Sequence, residues 1–478
     1  MQLDEIKRVI AEVITEFAES ASGDFEGVIT PGKTDGVKSA VNSDDGIFQD
    51  IDMAVRAAKR AQAELVESGL KKRRSIISAM RSVIQANASM LAEKAAEETG
   101  MGNTRDKTLK NQLAAEKTPG VEDVRPYVFT DEHGLTLIER APYGVIGSII
   151  PSTNPTSTVI CNAIGMIAAG NAVLFNPHPA ARECSSLAVT LLAKAVKEAG
   201  GPEHLITAVA MPDIKSAQAM MKHPDISLLT VTGGPGVVRT AMRSGKKVIA
   251  AGPGNPPCVV DESADIEKAG ADIVKGAGFD HNIICICEKE VIVVDTVADA
   301  LKAAMVSSGA YELSPREIEK IAELIILETG EVNKKYVGKS PQLIASHIGV
   351  YIPENVRILL CEVPADHPLM GTEQLMPVLP LARVQDVDTA IRLAYALEHG
   401  YRHTAVMHSR NVDKLSQMAR LMDCSLFVKN GPCYAGLGYG GAGFPSFTIA
   451  SPTGEGLTRS QTFTRERRCT LVDRFRIV

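Results

Sequence analysis

No stretch of the 478-residue sequence approaches the roughly 18 consecutive apolar residues that would span a bilayer. From Asp4 onward the N-terminus is charged and amphipathic, without the continuous apolar run of a secretory signal. Neither charge dominates. The 51 basic residues stand against 57 acidic ones, a net of -6, so the concentrated basic field of a nucleic-acid binder is missing. Nine cysteines, an odd count, are scattered through the chain. They read as reduced thiols of a cytoplasmic protein and not as a disulfide framework. No second Cys/His cluster completes a metal site around His281, Cys285 and Cys287, so no metal is expected. What is left is 45% hydrophobic and 23% charged, the make-up of a soluble globular enzyme of two or more lobes.

Residues 1–17 stand apart. Leu3, Ile6, Val9, Ile10, Val13, Ile14 and Phe17 fall at helical spacing, with Asp4, Glu5, Lys7, Arg8, Glu12 and Glu16 opposite. The stretch from Glu19 to Asp45 is rich in Gly, Ser, Asp and Thr and reads as a linker. A tethered amphipathic helix needs a surface: the protein's own body, a membrane or a partner protein. Four acidic against two basic residues argue against an anionic membrane.

From Ile51 to about Gly100 the chain reads as helical, and from Tyr143 short β-branched runs alternate with helices. Strands are expected at Gly144–Ile150, Ala172–Phe175, Ile206–Met211, Leu228–Thr232, Lys247–Ala251 and Cys258–Asp261. Helices fall between, among them Ser185–Ala199, with Ser185 as a candidate cap, and Ile214–Lys222. The pattern resumes at Val291–Asp295, Ile358–Val363, Thr404–His408 and Ser425–Val428, and a last strand is expected at Arg468–Val478. Such alternation predicts doubly wound parallel α/β sheets in two lobes.

Four stretches hold candidate chemistry. Gly276 to Glu290 brings Cys285 and Cys287 through an irregular loop just before a strand, where a thiolate nucleophile would find access and backbone donors. Taken alone, both are as readily buried structural cysteines. Thr232-Gly233-Gly234-Pro235 follows a strand and precedes a helix, a turn that lets a pyrophosphate approach backbone, or simply a tight turn. Gly170 to Pro179 ends a strand in a polar loop holding Asn176 and His178, suited to a ribose or phosphate, or a plain surface loop. Asn154, before Pro155, offers one amide to a developing oxyanion, or a turn.

In this order and at these intervals the motifs resemble the aldehyde dehydrogenase superfamily, from about Ile51 to the C-terminus. The resemblance implies an aldehyde dehydrogenase-like α/β fold of two doubly wound lobes plus a small β oligomerisation flap. It implies Cys285 as nucleophile and Asn154 as oxyanion-stabilising amide. Asn176, His178, Thr232, Gly233, Gly234, Pro235 and Gly252 would line the NAD site, with Glu373 on the nicotinamide ribose. Hydrolytic members carry a Glu in a Glu-Leu-Gly-Gly-Lys stretch where this chain has Val248-Ile-Ala250-Ala-Gly252-Pro. Without that general base, hydrolysis of the thioester slows and a thiol such as coenzyme A becomes the better acceptor. Asn176, His178 and the Cys-Ile-Cys-Glu-Lys-Glu run likewise resemble the CoA-acylating branch, with Cys287 as a spectator. The runner-up is a hydrolytic enzyme releasing the free acid.

Acylating members of bacterial microcompartments carry a short amphipathic helix ahead of the catalytic body. The resemblance therefore implies a segment 1–17 that docks on a shell protein, a linker 18–45, and a cytoplasmic location inside a microcompartment. An NAD-binding lobe would take 46–126 and 141–250, a catalytic lobe 251–449, and the flap 127–140 with 450–478. The flap implies a homo-oligomer, a dimer or a dimer of dimers. The substrate is expected to be a short-chain aldehyde, propionaldehyde before acetaldehyde.

Overall fold

The β-branched runs assemble into two parallel sheets in the computed structural model, which describes residues 45–478. Segment 1–17 and the linker up to residue 44 lie outside the described residues. The first lobe begins with strand β1 (Ile47–Phe48) and helices α1 (Ile51–Glu67), α2 (Gly69–Thr99) and α3 (Thr104–Lys117). The Asp50 side chain caps α1 through the Met53 N–H, and Asn103 caps α3 through that of Asp106, each satisfying a donor the first turn leaves free.

A hairpin, β2 (Tyr127–Asp131) and β3 (Gly134–Pro142), follows. The chain then alternates: β4 (Val145–Ile150), α4 (Pro155–Ala168), β5 (Ala172–Pro177), α5 (Arg182–Glu198), β6 (Ile206–Val209), α6 (Ile214–Lys222), β7 (Ile226–Thr232), α7 (Pro235–Met242) and β8 (Lys247–Ala251). The sheet order is β1-β6-β5-β4-β7-β8, all parallel. Every residue of β4 and β5 is buried, as a sheet covered by helices on both faces requires. Helix α5 starts at Arg182, directly after the Pro179–Ala181 turn, so Ser185 is not its cap but a fully buried residue within it.

The second sheet has seven strands in the order β11-β12-β13-β10-β9-β14-β15, again parallel. They are β9 (Pro257–Val260), β10 (Glu290–Val294), β11 (Ala310–Glu312), β12 (Ile358–Glu362), β13 (Val378–Val384), β14 (Thr404–His408) and β15 (Leu426–Lys429). Helix α8 (Ile266–Ala277) joins β9 to β10. One apolar core runs through both lobes, joining Ile146 and Val231 to Cys258 and Val291, while a second lies under the outer face of the second sheet. Strands β11 and β13 were not among the expected ones; β13 holds Pro380 inside a central strand, a place where proline is uncommon.

The last strand, β16 (Thr464–Val472), pairs antiparallel with β3, and β3 with β2. It starts four residues before Arg468 and stops at Val472, because an exposed ribbon carries no alternation of buried residues. Among the described residues no helix is long and apolar enough to cross a membrane.

Candidate active site

Parallel strands bring their starting ends to one edge. Adjacent strands β14, β9, β10 and β13 are entered by the loops that carry His403, Gly254, Cys285 and Glu373 in turn. The first sheet contributes its opposite edge. In its order β1-β6-β5-β4-β7-β8 the winding reverses between β4 and β7, and at such a reversal a crevice opens at the strands' carboxyl ends. Asn154 follows β4 there and Thr232–Pro235 follow β7. Only Gly252 to Pro256 separate β8 from β9, so the two edges face one crevice.

Cys285 is half-buried, whereas Cys287 is fully buried and points its thiol toward the Phe279 carbonyl, 3.9 Å away. The preceding turn is strained: Asp280, His281 and Asn282 have φ of 47°, 53° and 66°, left-handed values uncommon for residues with a Cβ. Each is tied down. Asp280 accepts from Lys107, Lys110 and the Asn103 N–H, His281 pairs with the Gly338 carbonyl at 3.0 Å, and the Asn282 amide donates to Ala277 and Glu288 carbonyls. His281, Cys285 and Cys287 form no metal-binding group, and among the described residues no three such side chains do.

Burial pushes the Cys285 thiol up to about 12, and the Glu373 carboxylate adds to the shift while Lys289 opposes it. Glu373 is half-buried; its Oε1 accepts from the Gly254 N–H at 3.2 Å, and burial raises its own pKa. Asn154 is 7% exposed at the start of α4. Its Oδ1 accepts from Lys110 Nζ at 2.6 Å, and the same ammonium pairs with Asp280 of the cysteine turn. The three residues expected to act on the aldehyde or beside it, Cys285, Asn154 and Glu373, are thus joined through Lys110–Asp280 and Gly254.

The other expected residues lie along the carboxyl edge of the first sheet. Asn176 is buried at the end of β5, where its Oδ1 accepts from Ser216, leaving its amide N–H groups to donate. His178 accepts from the Ala180 N–H, and burial lowers its pKa, so it is neutral at pH 7. Gly234 starts α7 with nothing within 4 Å of where a Cβ would stand, which leaves the helix N-terminus open to a pyrophosphate. Thr232 Oγ1 pairs with Thr448 at 2.8 Å, and a Cβ on Gly252 would meet Pro452 at 2.7 Å. Ala250 is fully buried, its N–H donating to Thr453 Oγ1.

His403 was missed. It is fully buried, its Nδ1 pairs with Thr404 Oγ1 at 2.8 Å, and its Nε2 has no partner. Burial, helped by Lys289, lowers its pKa to about 4, so the ring is neutral. A lone His before a strand carries no local signal. Its relation to Cys285 appears only once β14 and β10 flank β9. A small cavity of about 10 Å³ borders the cysteine loop at Phe279 and Ile284 and is lined also by Leu109, Lys110, Leu113, Tyr434, Leu437, Tyr439 and Phe447.

Residues 17–313 match the model of the aldehyde dehydrogenase family. The chain is 52% identical over 439 residues to the acetaldehyde dehydrogenase (acetylating) EutE of Salmonella typhimurium, covering 91% of this chain and 94% of that one. A crystal structure of Rhodopseudomonas palustris propionaldehyde dehydrogenase, with bound CoA and an acylated cysteine, superposes with a TM-score of 0.89 at 48% identity. It covers 90% of this chain and 98% of the other. The propionaldehyde dehydrogenase of the Clostridium phytofermentans fucose utilisation bacterial microcompartment matches at TM-score 0.89 and 47% identity, over 91% of this chain and 100% of that one.

Proposed function

The chain belongs to the aldehyde dehydrogenase family, and we propose that its site converts a short-chain aldehyde, CoA and NAD to acyl-CoA and NADH through a thioester on Cys285. The observation that carries the acylating reading is at the end of β8. The position where a hydrolytic general base would sit holds the buried pair Ala250-Ala251, with the Ala250 N–H donating to Thr453 Oγ1. With no carboxylate there to activate water, the thioester survives until a thiol reaches it.

In the proposed sequence Cys285, once its thiol proton has been lost to solvent, adds as the thiolate to the aldehyde carbon, and the Asn154 amide and the Cys285 N–H hold the resulting oxyanion. NAD, when bound, supplies the hydride acceptor, taking the carbon-bound hydrogen with two electrons. Collapse of the oxyanion leaves an acyl-Cys285 thioester. The CoA thiolate then attacks the acyl carbon, the bond to Cys285 breaks, and Cys285 departs as its thiolate. Thr232, Gly233, Gly234 and Pro235 would hold the pyrophosphate at the open end of α7, Gly252 the adjoining crevice wall, Asn176 and His178 the adenosine ribose, and Glu373 the nicotinamide ribose. The lobe built on the first sheet, 46–126 and 141–250, would carry NAD, and that of 251–449 the catalytic loop.

Propionaldehyde is the favoured substrate and acetaldehyde the next, a ranking supported by the similarity to the propionaldehyde dehydrogenases of Rhodopseudomonas palustris and of the Clostridium phytofermentans microcompartment. The flap of 127–140 and 450–478 would join subunits into a dimer or a dimer of dimers. Residues 1–17 would dock on a shell protein and place the enzyme inside a microcompartment. The experiment is NADH production from propionaldehyde, with and without CoA, by the wild type and Cys285→Ala. Turnover that needs CoA, yields propionyl-CoA and vanishes in the variant supports the reading. Equal turnover without CoA, yielding free propionate, overturns it.

A further inference from the structure

Asn154 is an amide, and an amide has two faces. It stabilises an oxyanion with its Nδ2 forward and repels one with its Oδ1 forward. The surroundings of Asn154 decide between them. Lys110 Nζ stands 2.6 Å from Oδ1, and an ammonium has three protons and nothing to accept with, so only the oxygen can face it. Nδ2 is left to point the other way, with Thr153 Oγ1 as a longer partner at 3.3 Å.

Lys110 is itself held. It lies 3% exposed on α3 and pairs with the Asp280 carboxylate, which is fully buried and also takes Lys107 at 3.1 Å and the Asn103 N–H at 2.8 Å. Asp280 opens the left-handed turn of the cysteine loop, and its N–H donates to Asp106 at 2.8 Å. A Cβ on Gly102 would stand 2.0 Å from Asp280 Oδ1, so the carboxylate is packed as closely as a glycine allows. Lys107 and Lys110 face Asp280 and Asp106 inside this cluster, with the half-buried Arg357 3.9 Å from Asp106 at its rim, so each buried charge has an opposite one beside it. The chain of contacts runs from the cysteine turn through Lys110 to the amide.

We infer that Lys110 is a positioning residue for acyl transfer: its ammonium fixes the rotamer of the Asn154 amide so that Nδ2 faces the oxyanion formed at Cys285. This rests on the proposed thioester chemistry. Lys110 acts through Asn154 and does not touch the reacting atoms. Its worth is therefore bounded by that of Asn154, for which loss of one oxyanion donor costs on the order of 10²–10³ in kcat.

The test is a double-mutant cycle on the full chain with propionaldehyde, NAD and CoA. Lys110→Met, Asn154→Ala and the double variant are compared for kcat, for KM and for the rate at which iodoacetamide alkylates Cys285. Lys110→Met is expected to lower kcat by about 10-fold or more, with KM and the alkylation rate within about two-fold of the wild type. The double variant should be no slower than Asn154→Ala alone. Lys110→Gln keeps a donor toward Oδ1 and should recover part of the loss. Should Lys110→Met alone fail to fold with Asp280 left to Lys107 alone, Lys110→Met with Asp280→Asn removes one charge of each sign and carries the same expectation. Losses that multiply in the double variant, or an unchanged kcat in Lys110→Met, overturn the inference. If Asn154→Ala alone keeps full activity, the oxyanion reading fails instead.

Discussion

His403 and Cys285 are separated by a single glycine. A Cβ added to Gly254 would stand 2.9 Å from Cγ of the His403 ring and 3.0 Å from the Cys285 carbonyl oxygen. The φ of Gly254 is not left-handed, so closeness alone demands glycine here. The same residue donates its N–H to Glu373, so a shift of the Gly254 backbone moves the carboxylate and Cys285, the proposed nucleophile, together.

Gly254→Ala should therefore fold and yet lose activity. Overpacking of one methyl typically costs about 1–3 kcal/mol, which a protein of this size survives. Displacement of reacting groups by a fraction of an ångström to 1 Å costs up to about 100-fold in rate. Thermal melting and kcat/KM for propionaldehyde would be measured together. A folded variant with wild-type kcat/KM would show that the Gly254 contact does not set the geometry of the site.

The buried thiol sets a pH dependence. With the Cys285 pKa pushed up to about 12, the neutral thiol prevails in the free enzyme, and the thiolate fraction rises with pH. Alkylation of the Cys285 peptide by iodoacetamide should climb about tenfold per pH unit from pH 7 to 10 without a plateau. Glu373→Gln removes a negative charge that helps raise the pKa, so alkylation at a fixed pH should become faster. Mass spectrometry distinguishes this peptide from that of the exposed Cys469. A plateau below pH 9 would mean that the thiol is far more acidic than its surroundings imply.

The three-stranded ribbon exposes apolar side chains at both of its edges. Tyr127, Val128 and Phe129 on β2 are 46%, 55% and 63% exposed, and Leu471 and Val472 on β16 are 44% and 63%. If the ribbon joins subunits as proposed, these exposed apolar side chains on its two edge strands would be covered there. Phe129→Asp should reduce the particle mass seen by light scattering while leaving the far-UV spectrum of the subunit unchanged. An unchanged mass would place the subunit contacts elsewhere.

The parts of the site visible in the sequence are those announced by their own neighbours. Cys285 sits in a Gly-rich approach to a strand, Asn154 precedes a proline after an apolar run, and Thr232–Pro235 interrupt a strand–helix pair. Lys110 and His403 have no such local mark. The partners of Lys110 lie 44 and 170 residues away, and those contacts exist only after α3 packs across the crevice. Strand β13 pairs on both sides with β10 and β12 despite Pro380 within it, which local pattern disfavours. The displaced start of α5 has the same root: Ser185 is a good cap by type, but the Pro179 turn had already begun the helix at Arg182. Local chemistry was readable and convergence at a distance was not.

We propose that substrate length is set by the walls of the cavity lined by Ile284, the residue before Cys285. Its volume of about 10 Å³ is near the minimum that admits one water, and Phe279, Tyr434 and Tyr439 close it as a cluster with ring centroids 5.2–6.4 Å apart. Leu109 forms the wall on α3 and is only partly buried, so it can be shortened with less damage than the rings. One methylene in an apolar pocket is worth about 1–3 kcal/mol, or about 10–200-fold in kcat/KM. Leu109→Ala should therefore raise the butyraldehyde-to-propionaldehyde ratio of kcat/KM by about tenfold or more. The ratio matters more than either value, because a general loosening would lower both alike. A ratio that stays at the wild-type value would mean the acyl chain does not enter this cavity, and that another wall sets the length.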